Sequence, residues 1–313
     1  MAVRVKIKKP KKARAPALKV ADWAHPSDLK EKKAALIGGL GMPVGFLLLL
    51  FILPGRDFLF PLWLVWLVAA FAVHMWLWPS RQKRALRKDE PRSAEDTAFA
   101  RVLQMSLERV ARVWPVPPGV SVVLTSKGIM PLTFGRTIVV PGSLRAKLSE
   151  PEVTALLARE VGHIAGGHVA LLSLFRSMGI SPRPLQAVGL PLGVLVVLLR
   201  RWSYYAEVSA DRFAALACGD GKVVAQAILR IALHAEPEGE HVSAEDVAEH
   251  LAAPEGLKAE QEQITTHFRL GEYLKERPDV YGRLRAVASY FGSPEHKAAV
   301  EKVRAAQSPG QPA

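Results

Sequence analysis

A mostly α fold with a small β-sheet (α+β), preceded by a transmembrane helical hairpin, is what this chain predicts. Three observations carry that prediction. Two long runs, Ala34–Leu53 and Phe58–Trp78, contain no acidic or basic residue beyond the titratable His74. Apolar residues at helical spacing dominate the rest of the chain, from Phe99, Val102, Leu103, Leu107 and Val110 onward. Only two short stretches, Val120–Leu124 and Thr137–Val140, read as strands.

The 313 residues suffice for one or two domains with a real core. Half of them are hydrophobic, yet the formal net charge is +13. High apolar content beside high charge implies segregation, with apolar spans next to basic flanks. The single cysteine, Cys218, excludes an intramolecular disulfide and a cysteine-rich zinc site, and suits a reducing compartment. Basicity alone could signal nucleic acid. Here the charge clusters beside the apolar runs, without aromatic–basic interleaving or a recognition helix, so no nucleic-acid partner is expected.

Taken in order, residues 1–33 form a basic arm led by Arg4, Lys6, Lys8, Lys9, Lys11, Lys12, Arg14 and Lys19. Its composition predicts a largely disordered cytoplasmic segment that sets topology and touches anionic headgroups. Residues 34–78 form the hairpin. Each run is long enough to cross a hydrocarbon core of about 30 Å as a helix. Pro54, Gly55, Arg56 and Asp57 turn the chain between them, and Trp63, Trp66, Trp76 and Trp78 suit the interface. A signal peptide fits less well, because no small-residue cleavage site follows Leu53. A buried hairpin in a soluble protein is the other alternative. Arg81, Lys83, Arg84, Arg87, Lys88 and Arg92 come after the second run. Both flanks are therefore basic. The expected location is the inner or plasma membrane, with the N-terminus and the C-terminal domain on the cytoplasmic side.

A domain is expected over residues 79–304, with a disordered tail at 305–313. Glu95–Val113 reads as a helix, and Thr125-Ser126-Lys127-Gly128 supplies turn chemistry after the first strand. Ser149-Glu150-Pro151-Glu152 is a capping box with proline in the first turn, opening a helix. Leu185–Leu199 is a third apolar run, short for a span and closed by Arg200-Arg201-Trp202. It fits lying on a membrane, dipping into one, or packing as a core helix, and its Arg-Arg-Trp end favours membrane contact. Tyr204–Cys218, Val223–His234, Ala244–Leu251, Glu260–Leu274 and Asp279–Phe291 read as further helices.

The capped helix carries Arg159-Glu160-Val161-Gly162-His163, which is the zinc-peptidase pattern H-E-x-x-H with its first histidine replaced. In that pattern two imidazoles one helical turn apart bind zinc, and the intervening glutamate takes a proton from the metal's water. Glu160 stands at the general-base position and His163 at the second ligand. Downstream, Glu207 and Asp211 share a helix face. Glu207 stands as third ligand, with Asp211 behind it orienting an imidazole.

With these residues the chain resembles the HtpX-type and CAAX-prenyl-protease-type integral-membrane zinc metallopeptidases. Its best-matching segments are Ile138–Val169 and Tyr205–Ala217. The resemblance implies a zincin-like domain, zinc as cofactor, and polypeptide substrates or client membrane proteins. It also marks His168 as a common histidine behind the site. Near the C-terminus, Arg277-Pro278 stands where family members often carry His-Pro. Arg283 then keeps the place of an arginine that contacts substrate or transition state.

Arg159 departs from the pattern. A guanidinium is always protonated, has no lone pair to donate, and repels a cation. Three readings are open. The chain is a degenerate peptidase, with Arg159 forking onto Glu207 or Asp211 in the space of the ion. Or it is an active zinc endopeptidase with a non-standard ligand set. Or it is a structural membrane protein, for which only the spans argue. His168 and Cys218 are badly placed to replace the lost ligand. His234, His241, His250, His267 and His296 stay open by sequence.

Overall fold

The computed structural model describes residues 4–6, 19–37, 94–114, 116–125, 130–173, 190–234 and 280–307. In chain order these form β1 (Arg4–Lys6), α1 (26–37), α2 (Ala94–Val113), β2 (Ser121–Thr125), β3 (Leu132–Phe134) and β4 (Thr137–Pro141). Then come α3 (Glu150–Ala165), α4 (Leu190–Cys218), α5 (Gly221–His234), α6 (Val280–Tyr290) and α7 (Pro294–Gln307). The described residues are thus mostly helical with a small sheet, as expected.

The sheet runs β1-β2-β4-β3. β2 and β4 pair in parallel, with Val122 opposite Ile138. β1 and β3 flank them antiparallel. Strand β3 went unforeseen, because three residues are too few to display alternation. Helix α7 was missed too; its alanine, glutamate and lysine content carries little apolar signal, and Ala299 is its one fully apolar buried position.

Helix α3 is the centre of the molecule. Every residue from Glu152 to His163 is buried, so the helix is covered on all sides. Its start is as foreseen: the Glu152 carboxylate accepts from both the backbone N–H and the hydroxyl of Ser149, each at 2.7 Å. Arg230 of α5 reaches the other Glu152 oxygen at 3.2 Å. Its end turns sharply at Gly167, whose φ of +64° suits glycine, and the next N–H, of His168, closes onto His163 O at 2.9 Å.

Helix α4 packs against α3 more extensively than any other element does. Gly162 is the reason they approach so closely. A Cβ there would stand 3.1 Å from Phe213 Cβ and 3.2 Å from Ala210 Cα. The main core gathers Leu103, Leu107, Val110, Ile138, Leu156, Leu157, Val161, Phe213, Ile228 and Leu284 around this pair. Helix α4 also joins the end of the third apolar run to the Glu207–Asp211 element in one continuous rod. Among the described residues no helix, α4 included, is long and apolar enough to cross a membrane. The predicted hairpin lies outside the described residues except for 34–37. The expected helices at 244–251 and 260–274 and the tail from 308 lie outside them as well.

Of the arm at 1–33, expected to be largely disordered, the described residues are Arg4–Lys6, which pairs with β2, and 19–33, which pack onto the domain. Trp23 is 1% exposed and makes edge contacts with Trp114 and Phe213, at ring separations of 6.3 and 5.1 Å. One buried tryptophan outweighs the polar, proline-rich composition around it, since burying a ring of that size contributes several kcal/mol (about 3–5 are lost on truncation). Ala35 of α1 joins a second cluster with Leu172, Leu199, Trp202 and Ala206.

Candidate functional site

The predicted site residues meet where α3 faces α4. Arg159, Glu160 and His163 come from α3. Glu207 and Asp211, one turn apart, come from α4. Arg283 enters from α6. All six are buried. Placing such groups in the core is costly unless each charge is paired, and the pairing here is dense.

Arg159 is the hub. Its NH1 donates to Glu160 Oε1 at 2.8 Å, its NH2 donates to Glu207 Oε2, and its Nε lies 3.4 Å from Asp211 Oδ1. The expected fork onto Glu207 or Asp211 therefore reaches both and adds Glu160. Burial alone would favour a neutral guanidine. The three surrounding carboxylates, Glu207 foremost, outweigh it and raise the Arg159 pKa further. The same pairing acts on Glu207. Burial would raise its carboxyl, but Arg159, with help from His163 and Arg283, holds it well below the ordinary range.

Glu160 is engaged through both of its oxygens. Oε1 accepts from Arg159, and Oε2 accepts from Thr133 Oγ1 at 2.6 Å. Thr133 lies on β3, so the strand missed by sequence supplies a missed site residue. A hydroxyl with no motif around it leaves no sequence signal. A carboxylate stabilised by a donor on each oxygen is a weaker base toward a water proton.

Asp211 does not orient an imidazole. Its two oxygens accept from Arg283 Nε and NH2, both at 2.8 Å, in a bidentate pair. An arginine offers two parallel donors that match a carboxylate better than one imidazole N–H can, and α6 brings it there. Arg283 NH2 is also 4.0 Å from Glu207 Oε2. Three carboxylates thus face two guanidiniums across the six residues.

The orienting role falls to residues of other segments. His163 Nδ1 lies 3.2 Å from His168 Nδ1, and His168 Nε2 lies 2.9 Å from Asp28 Oδ2. Trp202 Nε1 donates to the other Asp28 oxygen at 3.1 Å. Burial lowers the His168 pKa more than Asp28 raises it, which favours the neutral imidazole. With its one N–H directed at Asp28, His168 Nδ1 must accept, and His163 Nδ1–H donates to it. His163 Nε2 lies 3.4 Å from Glu207 Oε2, without a regular hydrogen bond. Asp28 sits in the basic arm, and charge composition concealed it.

His163 Nε2 and Glu207 are disposed as two members of a metal site. The third position is filled by a guanidinium bonded to that same Glu207. Among the described residues no three His, Cys, Asp or Glu side chains are grouped to hold a metal ion. His296, one of the histidines left open by sequence, lies away on α7 against Tyr290. His241, His250 and His267 lie outside the described residues. The described residues do not fit a catalytic zinc, which needs three protein ligands and an open position for water.

Comparisons with known proteins converge on one family. The sequence profile of peptidase family M48 matches residues 128–290, just over half of the chain. Over 96 residues the chain is 33% identical to plastoglobule-localized metallopeptidase 48, a chloroplastic protein of Arabidopsis thaliana. That alignment covers 30% of this chain and spans only 28% of the relative's length. No solved structure matches.

Proposed function

Because this chain belongs to peptidase family M48, a family of zinc metallopeptidases, we propose that it is a non-hydrolytic member whose metal centre has become an arginine-centred ion cluster. The observation that carries this reading is Arg159, which bridges Glu160, Glu207 and Asp211 in the buried site. A guanidinium there supplies positive charge without an open coordination position. It also engages the glutamate that would activate water.

In arrangement this member stands nearest the HtpX type. It is attached to the inner or plasma membrane through residues 34–78, with its domain on the cytoplasmic side. It binds polypeptide segments of client membrane proteins without cleaving them. Strand β3 supports that last element: it is the terminal strand of the sheet and lies beside Glu160. An extended peptide can pair with such an edge. The second reading, an active peptidase with a non-standard ligand set, draws on His163, whose Nε2 lacks a hydrogen bond.

Elemental analysis of the detergent-solubilised protein, with a cleavage assay on an unfolded substrate, separates the two. The expected result is substoichiometric zinc and no chelator-sensitive cleavage. Stoichiometric zinc together with such cleavage overturns the proposal. Arg159→His tests what is left of the geometry. Zinc uptake by this variant means that His163 and Glu207 still hold their places for a metal.

A further inference from the structure

Helix α1 has two faces of opposite chemistry. Its inner face is polar and tied to the site. Asp28 meets His168 and Trp202, and Glu31 accepts from Arg201 Nε at 3.0 Å. From its flank, Lys32 donates to the carbonyls of Gly166 and Gly167, both at 3.2 Å, at the C-terminal end of α3. Asp28, Glu31 and Ala35 are buried. Spaced three and four apart, they form one stripe.

The outer face is exposed, and it is apolar and basic together. Leu29 is 44% exposed, Leu36 43% and Ile37 71%, with exposed Lys30 and Lys33 between them. These five positions fall within an arc of about 120° opposite the buried stripe. Among the described residues five large hydrophobics are exposed, and three of them lie on this helix of 26–37. Scattered singly they would need no explanation; gathered on one face with lysines they do.

The next stretch of the chain identifies the occupant. The uncharged run begins at Ala34, inside α1. Leu29 precedes it by five residues, about 7 Å along a helix. The interfacial layer of a bilayer is about 5–8 Å deep on each side. Leucines and lysines at that distance meet headgroups, where lysine heads reach phosphate while their stems stay apolar.

We propose that Leu29, Lys30, Lys33, Leu36 and Ile37 form a contact surface for anionic lipid headgroups, and that the inner face of α1 carries this attachment directly to the His163–His168 pair. The surface rests on the membrane attachment proposed above and is independent of whether zinc binds.

Spin labelling of the full chain in nanodiscs tests it. Leu29→Cys and Lys33→Cys carry the label. Cys218 can stay, because burial pushes its thiol up to about 12. Arg101→Cys, on the exposed side of α2, is the aqueous reference. Leu47→Cys, in the uncharged run, reports attachment. In discs with anionic lipid, the label at 29 should collide with dissolved oxygen several-fold more often than with a water-soluble nickel chelate. Lys30→Glu with Lys33→Glu should move that reading toward the aqueous reference, and so should neutral discs. A label at 29 that behaves like the one at 101 overturns the proposal. So does a label shielded from both reagents, which would mean that protein covers the face. Lipid contact that ignores both lysines and lipid charge overturns the anionic assignment. If 47 reads lipid while 29 reads water, the attachment survives and this surface does not. If 47 also reads water, both fail.

Discussion

At Arg159 one side chain sets the state of three others. Replacing it by alanine strips the guanidinium from buried Glu160, Glu207 and Asp211 and leaves Arg283 near only the last two. Stripping one partner from a buried ionic group costs about 3–5 kcal/mol. Thermal unfolding of Arg159→Ala in detergent should show that loss, and an unchanged melting temperature would refute the hub role. Thr133→Val is milder. It deprives Glu160 Oε2 of its donor and should cost about 1–3 kcal/mol, visible in the same measurement. The two residues were unequally legible in the sequence. Arg159 announced itself because it interrupts a pattern, and Glu207 and Asp211 because they sit one turn apart on a helix. Thr133, Asp28 and Trp202 carry no such pattern. Their partners lie 27, 140 and 174 positions away, and only tertiary folding brings them together.

Among the elements, the contact between α3 and α4 decides whether the cluster assembles at all. Gly162 lets the two helices close to the distance at which Arg159 reaches Glu207. Gly162→Ala should force Phe213 or the α4 backbone outward at about 1–3 kcal/mol, the usual cost of overpacking. Calorimetry on this variant would check it, and a gain in stability would contradict the close-packing account. The capping box at Ser149 was readable because its donors and acceptors are local. The arm was not. Its basic, proline-rich composition predicts disorder, and the burial of Trp23 between Trp114 and Phe213 reverses that. A single aromatic anchor is invisible to composition but large in energy.

For the whole molecule, pH dependence collects several buried groups. His25, His168 and His296 are each held below the ordinary histidine range, first of all by burial. The unfolded chain therefore binds more protons than the folded one just below about pH 6.5. Their contribution to stability is complete above that value and is lost as pH falls through the folded pKa values. Glu207, also lowered, adds a further loss only in stronger acid. Melting temperatures measured from pH 8 down to 5 should fall on the acid side; a rise on acidification would contradict the burial of these imidazoles. The overall class, helices with a small sheet, was legible because periodicity reports it. The way the arm wraps the domain was not, because periodicity says nothing about which distant faces meet.

The cation of this site is synthesised with the chain. A metal must be delivered, can be stripped away, and competes with other ions for its place. Arg159 arrives by translation, at one per molecule, and cannot dissociate. On the non-hydrolytic reading proposed above, such a protein has no separate apo and holo forms, and its folding is indifferent to the metal supply of its compartment. Its melting temperature should accordingly be the same in excess chelator as in added zinc, whereas a displacement of several degrees between the two would mean that a metal still contributes to the fold.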